Sequence, residues 1–203
     1  MMAKRDIEKF LRFYESEFGK KVLSKEAEYL NNELRGRRKI LDVGCGVGYF
    51  EEMLSDLNIT GLDSSKEALE EARRRTGKRF VLGDAGNLPF PDRSFDGAFT
   101  VTTLEFLEDY EKAVDEVARV LEPSGKFVAM MLNPESEYFK SHILRPGSYF
   151  RRIKHADPKE MEKYISKLFT ATGEYFLGIR DQEVLDTHDR NLAALYVVKG
   201  TRV

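Results

Sequence analysis

Leu41-Asp42-Val43-Gly44-Cys45-Gly46-Val47-Gly48-Tyr49-Phe50 is the stretch whose reading decides the fold. Ile40, Leu41 and Val43 are strand formers; three glycines at alternate positions follow, and a helix restarts behind them. A strand, glycine turn and helix in that order let a ligand approach the backbone closely and turn the free N–H groups of the helix start toward it. The stretch therefore reads as the binding turn for a nucleotide-like ligand. Spacing narrows this. The dinucleotide fingerprint is G-x-G-x-x-G, whereas here the third glycine, Gly48, comes one residue early and Tyr49 stands in its place. That spacing disfavours a nicotinamide-dependent dehydrogenase.

Working outward, Ile59-Thr60-Gly61-Leu62-Asp63 reads as a second strand ending in an acid. Asp63 follows Gly44 by 19 residues, where nucleotide-binding α/β folds place a carboxylate for ribose hydroxyls. Phe80-Val81-Leu82-Gly83-Asp84-Ala85 reads as a third strand ending in another acid.

These residues resemble the class I S-adenosylmethionine-dependent methyltransferases, and within them the ubiquinone/menaquinone-biosynthesis-like, or type 11, branch. The resemblance is carried, in order, by the D-x-G-x-G-x-G loop, Asp63, Gly83-Asp84-Ala85, Asn87-Leu88-Pro89-Phe90-Pro91-Asp92 with Ser94-Phe95-Asp96, and Arg119-Val120-Leu121-Glu122-Pro123-Ser124-Gly125. It spans about residues 38–132 and departs at Ser124, where the family usually has glycine. It implies a Rossmann-like α/β fold: a seven-stranded, mainly parallel sheet with helices on both faces and the last strand antiparallel.

Composition fits one soluble enzyme domain over residues 1–203. The chain is 41% hydrophobic and 33% charged, which suits a globular core. A net charge of −2 gives no global attraction to nucleic acid or to an anionic membrane. No apolar run approaches the length of a membrane span, and no apolar signal core follows Met1. With one cysteine, a cytoplasmic location is the default expectation. The acceptor is expected to be a small molecule rather than nucleic acid; the oligomeric state is open.

Alternating patterns predict helices at about 47–56, from 64 to about 75, at 109–121 and at 158–170. Strands are predicted at about 39–43, 59–63, 79–83, 95–102, 126–132, 175–179 and 192–198. Ser64 with Glu67 has capping-box spacing. Ile7, Phe10, Leu11 and Tyr14 make an amphipathic helix that Gly19 is expected to interrupt. Two segments lie outside the common core. Residues 1–34 are either a lid over cofactor and substrate or a solvated helix pair. Residues 133–157 form a long connection suited to a substrate-side insertion; from Tyr138 to Ala156 it carries basic residues and aromatics but no acid.

The resemblance assigns the cofactor, S-adenosylmethionine with its product S-adenosylhomocysteine, to Asp42, Gly44, Cys45, Gly46, Gly48, Asp63, Ser64, Asp84, Ala85 and Thr100. Loop N–H groups near Gly44 to Gly48 would hold the methionine carboxylate. Asp63 would take the ribose, Asp84 and the Ala85 N–H the adenine, and Thr100 the methionine part. Asp42 would favour the sulfonium. Cys45 is a packing residue rather than a nucleophile, since no histidine adjoins it. Tyr14, Phe18, Tyr138, Arg151 and Glu105 are candidates for acceptor binding. Glu105 and His142 are candidate bases, against the plainer readings of a solvated helix start and a surface histidine. No metal is expected, because His142, His155 and His188 lack ligand spacing. The alternatives kept open are a cofactor-binding protein without catalysis and an RNA-modifying methyltransferase.

Overall fold

The computed structural model describes residues 4–203. The strands are β1 (Ile40–Val43), β2 (Ile59–Asp63), β3 (Arg79–Leu82), β4 (Phe95–Val101), β5 (Leu121–Leu132), β6 (Phe169–Arg180), β7 (Glu183–Leu185) and β8 (Ala193–Arg202). They form one sheet in the order β3-β2-β1-β4-β5-β8-β6-β7. The first five pair parallel, and β8 runs antiparallel between β5 and β6. The helices are α1 (Lys4–Glu15), α2 (Glu17–Leu34), α3 (Tyr49–Met53), α4 (Lys66–Arg75), α5 (Tyr110–Val120), α6 (Glu137–Ile143) and α7 (Pro158–Ile165).

The central strands are buried on both faces, so their side chains alternate between two cores. Ile40, Ile59, Phe99, Val128, Met130 and Val197 face α2 and α3, packing with Leu30, Leu34 and Phe50. Leu41, Val43, Leu62, Phe127, Met131 and Tyr196 face α5 and α7, packing with Val114, Val117, Met161 and Ile165. Two polar joints tie the strands together away from the glycine loop. Asp96, at the start of β4, accepts from the N–H groups of Arg38 and Lys39 ahead of β1. Burial alone would raise its carboxyl, but these donors and the Arg38 guanidinium outweigh it and hold the group below its usual range. Arg119 on α5 donates to the carbonyls of Leu88 and Phe90 and to Asp92 and Glu116, while Glu116 accepts from the Leu88 N–H. The Asn87–Asp92 and Arg119 motifs are thus two halves of one clamp.

Several expectations need correction. The sheet has eight strands, not seven: β7 turns back on β6 through Asp181 and Gln182, both at positive φ (50° and 63°). Such two-residue hairpins usually advertise themselves with Asn-Gly or Asp-Gly, and no glycine marks this one. The last predicted helix ends at Ile165, because Phe169 already pairs with Arg202 as the buried first residue of β6. Ser65, not Ser64, caps α4, accepting from the Ala68 N–H at 3.3 Å. Gly19 does not break the N-terminal helix; Ser16 does, capping α2 by accepting from the Gly19 N–H. Ser124 adopts φ 62°, the left-handed conformation glycine supplies more cheaply.

Within α2, Glu26 is buried and one carboxylate oxygen has no donor; Tyr14 and Tyr138 lie beside it. Burial pushes its carboxyl up to about 8. An acid raised in the folded state favours folding while protonated, and that contribution is lost as pH climbs from about 4.5 to 8. Glu26→Gln mimics the protonated form. Its stability advantage over the wild type should therefore grow by roughly 4 kcal/mol between pH 5 and pH 9. Thermal unfolding at both pH values checks this; an advantage independent of pH would contradict it.

Candidate functional site

A cleft of about 300 Å³ opens beyond the carboxyl ends of β1, β2 and β4, the place where open α/β sheets bind ligands. Asp42, Gly44, Cys45, Gly46, Asp63, Ser64, Asp84 and Ala85 all line it. Gly44 is held at φ 85° with the Thr103 side chain against it; a Cβ there would stand 2.4 Å from the Thr103 Oγ1. At Gly46 a Cβ would meet nothing within 4 Å, so the loop leaves space there for a visitor.

Asp63 organises this end of the cleft. Its Oδ2 accepts from the Gly46 N–H at 2.9 Å and its Oδ1 from the Ser65 N–H at 2.8 Å. Burial raises the carboxyl, and these N–H bonds offset only part of that rise. Each oxygen keeps a further lone pair for another donor. Asp84 closes its own turn, accepting from the Gly86 N–H at 2.9 Å, and still faces the cleft. Asp42 is buried with one oxygen lacking a donor, and burial followed by the nearby Glu51 and Asp63 pushes its carboxyl well up.

The loop N–H groups are less available than the sequence suggests. Those of Gly44 and Cys45 donate to the Leu62 carbonyl, that of Gly46 to Asp63 and that of Gly48 to the Cys45 carbonyl. They build the loop rather than wait for a carboxylate. Gly48 and Thr100 do not line the cleft. A Cβ on Gly48 would fall 2.9 Å from Ala72, so that glycine seats the loop on α4. Thr100 is buried within β4, and Thr102 and Thr103 face the cleft instead.

The opposite wall is aromatic: Phe10 and Tyr14 from α1, Tyr49, Phe106 and Tyr149. Phe106 and Tyr149 lie 4.6 Å apart between ring centroids, Tyr14 and Tyr49 4.9 Å, and Phe10 meets Tyr149 edge-on. The Arg75 guanidinium sits 4.2 Å over the Tyr49 ring. Arg152 and Lys154 add positive charge at the rim, paired with buried Asp6 at 2.6 Å and with Glu108. Lys9 donates to the Gly147 carbonyl. The 1–34 and 133–157 segments thus meet across the cleft.

Of the residues the sequence nominated for acceptor and catalysis, only Tyr14 lines the cleft. Arg151 donates to the Ile143 and Leu144 carbonyls. Phe18 packs on Tyr138, and Tyr138 on His142, whose Nδ1 lies 2.8 Å from the Tyr138 carbonyl. Glu105 is buried; its carboxylate accepts from the Leu132 N–H and its carbonyl from the N–H groups of Lys154 and His155. It joins β5 to the 153–155 segment, and burial pushes its carboxyl up to about 7. Phe10, Tyr49, Phe106, Tyr149, Arg152 and Lys154 were missed. The interleaved aromatics and basic residues of the long connection were the available signal, but they could not say which would turn inward.

Among the described residues no His, Cys, Asp and Glu cluster could hold a metal ion, and no helix is long and apolar enough to cross a membrane.

Comparison with known proteins bears on the family and the fold. The methyltransferase domain family matches residues 41–129. The O-methyltransferase resE of Aspergillus sclerotiorum is 31% identical over 187 residues, covering 83% of this chain and 69% of that protein. The fatty-acid O-methyltransferase of Mycolicibacterium smegmatis is 38% identical over 103 residues, covering 47% of this chain and 37% of that protein. Several curated relatives are matched over only half their length or less. A crystal structure from Thermotoga maritima, described as an SAM-dependent methyltransferase and possible histamine N-methyltransferase, superposes with a TM-score of 0.83. It is 23% identical, with 98% of this chain and 97% of that one covered.

Since Asp63 holds two N–H groups from two turns, Asp63→Ala should loosen the loop without unfolding the sheet. Each bond is charge-assisted, worth about 1.5–3 kcal/mol. Amide exchange at Gly46 and Ser65 should therefore accelerate roughly tenfold or more while β4 and β5 amides stay protected. Unchanged exchange at both positions would refute the clamp.

Proposed function

Because the chain belongs to the methyltransferase domain family, we propose that it transfers the methyl group of S-adenosylmethionine to a small or medium-sized acceptor. The observation that carries this is the convergence of Asp42, Gly46, Asp63 and Asp84 on one cleft. The residues present fit such a cofactor. Gly46 leaves open space, Asp42 has a buried oxygen without a donor, and Asp63 has lone pairs to spare after serving Gly46 and Ser65.

The cofactor, when bound, supplies an activated methyl group on a positively charged sulfur. The chain's task is then to bind, orient and exclude water. Asp63 would accept from the ribose hydroxyls, and Asp84 with the Ala85 N–H would take the adenine. Val47 lines the cleft, and its N–H, unlike those of Gly44, Cys45, Gly46 and Gly48, has no partner in the fold among the described residues. It is the loop donor left for a carboxylate. Asp42 presents negative charge to the sulfonium.

The aromatic wall supports an acceptor with an apolar or aromatic body; Arg152 and Lys154 stand at its rim, each already held by a carboxylate, so an anionic group on the acceptor would have to compete with Asp6 or Glu108. Relatives named fatty-acid O-methyltransferase and demethylmenaquinone methyltransferase support small, largely apolar acceptors. The α1 helix, pinned by Arg152 to Asp6, serves as the lid over this pocket. Reaction in the cytoplasm fits the single buried cysteine.

Calorimetry should show both S-adenosylmethionine and S-adenosylhomocysteine binding the wild type. Asp63→Ala should weaken each by about 2–4 kcal/mol, the two ribose hydrogen bonds sharing one carboxylate and not adding fully. Labelled cofactor should transfer its methyl group to members of a panel of apolar hydroxy compounds. Absence of binding by the folded wild type would overturn the assignment.

A further inference from the structure

Glu51 does not line the cleft, yet its placement is unusual. It sits on α3, immediately behind the glycine loop, fully buried, and neither carboxylate oxygen has a hydrogen-bond donor. The carboxyl group points under the sheet into a slot that Gly61 leaves open in β2. A Cβ at Gly61 would stand 2.5 Å from the Glu51 Oε1 and 2.8 Å from the Cys45 Sγ. Asp42 is the register partner of Gly61 across the β1–β2 pair, which sets it beside this slot, and Asp42 itself lines the cleft.

Among the described residues, the ionisable groups facing this pair are few. Asp63 at the end of β2 adds to the crowding of negative charge, and burial followed by these carboxylates pushes the Cys45 thiol well up, which keeps it neutral. Lys78, ahead of β3, is a cation whose charge lowers Glu51, and its ammonium donates to the carbonyls of Ser55 and Leu57. Asp63 has its two N–H donors, whereas the facing oxygens of Asp42 and Glu51 have none. Two neighbouring buried carboxyl groups whose oxygens lack donors avoid a double charge by holding one proton between them. Burial raises both, Asp42 well above its usual range and Glu51 to about 7.

We propose that Asp42 and Glu51 share a proton in the ligand-free protein and release it when a cationic ligand enters the cleft, so that Glu51 sets the preference for charged cofactor over neutral product. The inference rests on the cofactor assignment under Proposed function. S-adenosylmethionine carries a sulfonium charge that S-adenosylhomocysteine lacks; beyond that charge and the methyl group that bears it, the two present the same groups. Positive charge beside Asp42 favours the ionised pair, so the proton leaves to solvent as the cation binds. No other bond changes. A ligand whose binding releases protons binds more tightly as pH rises. The cofactor-to-product affinity ratio should therefore climb between pH 6 and pH 8, while the product's own affinity changes less.

The test is calorimetry of both ligands in buffers of different ionisation enthalpy, which counts protons directly. The wild type should release a few tenths of a proton or more in excess when S-adenosylmethionine rather than S-adenosylhomocysteine binds, and its affinity ratio should rise about threefold or more from pH 6 to pH 8. Glu51→Gln should bind both ligands and lose the excess. Difference infrared spectra of the wild type provide a check that needs no variant: a protonated-carboxyl band should disappear on binding the cofactor and persist on binding the product. Equal proton release by the two ligands, or an excess that survives in Glu51→Gln, would overturn the proposal while leaving the cofactor site intact. Failure of either ligand to bind the wild type would instead overturn the cofactor assignment, and this proposal with it.

Discussion

One carboxylate, that of Asp63, holds the business end of this molecule together. It stands at the end of β2 and takes N–H groups from the glycine loop after β1 and from the cap of α4. Parallel neighbours in a sheet place their carboxyl ends side by side, so their following loops must diverge or be tied. Asp63 ties them. The loop then presents Gly46 to open space, with Asp42 and Asp84 lining the same cleft. Burial opposes this arrangement by penalising the charge, and the two N–H groups make it tolerable.

The remainder of the fold keeps that end in register. Asp96 fastens the entry of β1 to β4, and Arg119 gathers the carbonyls of the segment that returns from β3. Both lie away from the cleft, and both belong to motifs that a function-minded reading would take for site residues. Their chemistry is backbone satisfaction: each supplies hydrogen-bond partners to the backbone of a neighbouring segment and so fixes its path. The aromatic wall is assembled differently, from α1, the loop after β4 and the segment around Tyr149, joined by ring contacts and the Arg152–Asp6 pair.

Much of this was legible in the sequence where local chemistry decides position. The glycine run, Asp63 and Asp84 occupy strand ends, and a strand end in a parallel sheet faces the cleft wherever the chain goes next. Legibility fell where tertiary packing decides. Ser64 has the capping-box spacing on paper, yet Asp63 accepting from the Ser65 N–H leaves Ser65 to open α4. Glu51 follows Phe50 and precedes Glu52 like part of a solvated helix face, but the missing side chain of Gly61 lets it turn inward. Thr100 was nominated where Thr102 and Thr103 face the cleft, because Thr102 leaves the strand at φ 47° and redirects the chain beyond it. The inward side chains of the long connection depend on contacts with α1, more than a hundred residues away in sequence, and no local pattern encodes them.

The central claim is that the Asp63-tied loop, and not the aromatic wall alone, receives the adenosine half of the cofactor. A crystal structure of the chain with S-adenosylhomocysteine tests it most directly. The account predicts both ribose hydroxyls on the Asp63 carboxylate, with its bonds to Gly46 and Ser65 retained, the adenine against Asp84 and Ala85, and the thioether facing the wall of Tyr14 and Tyr149. A ribose seated elsewhere, or an Asp63 carboxylate that abandons Gly46 to reach it, would contradict the account.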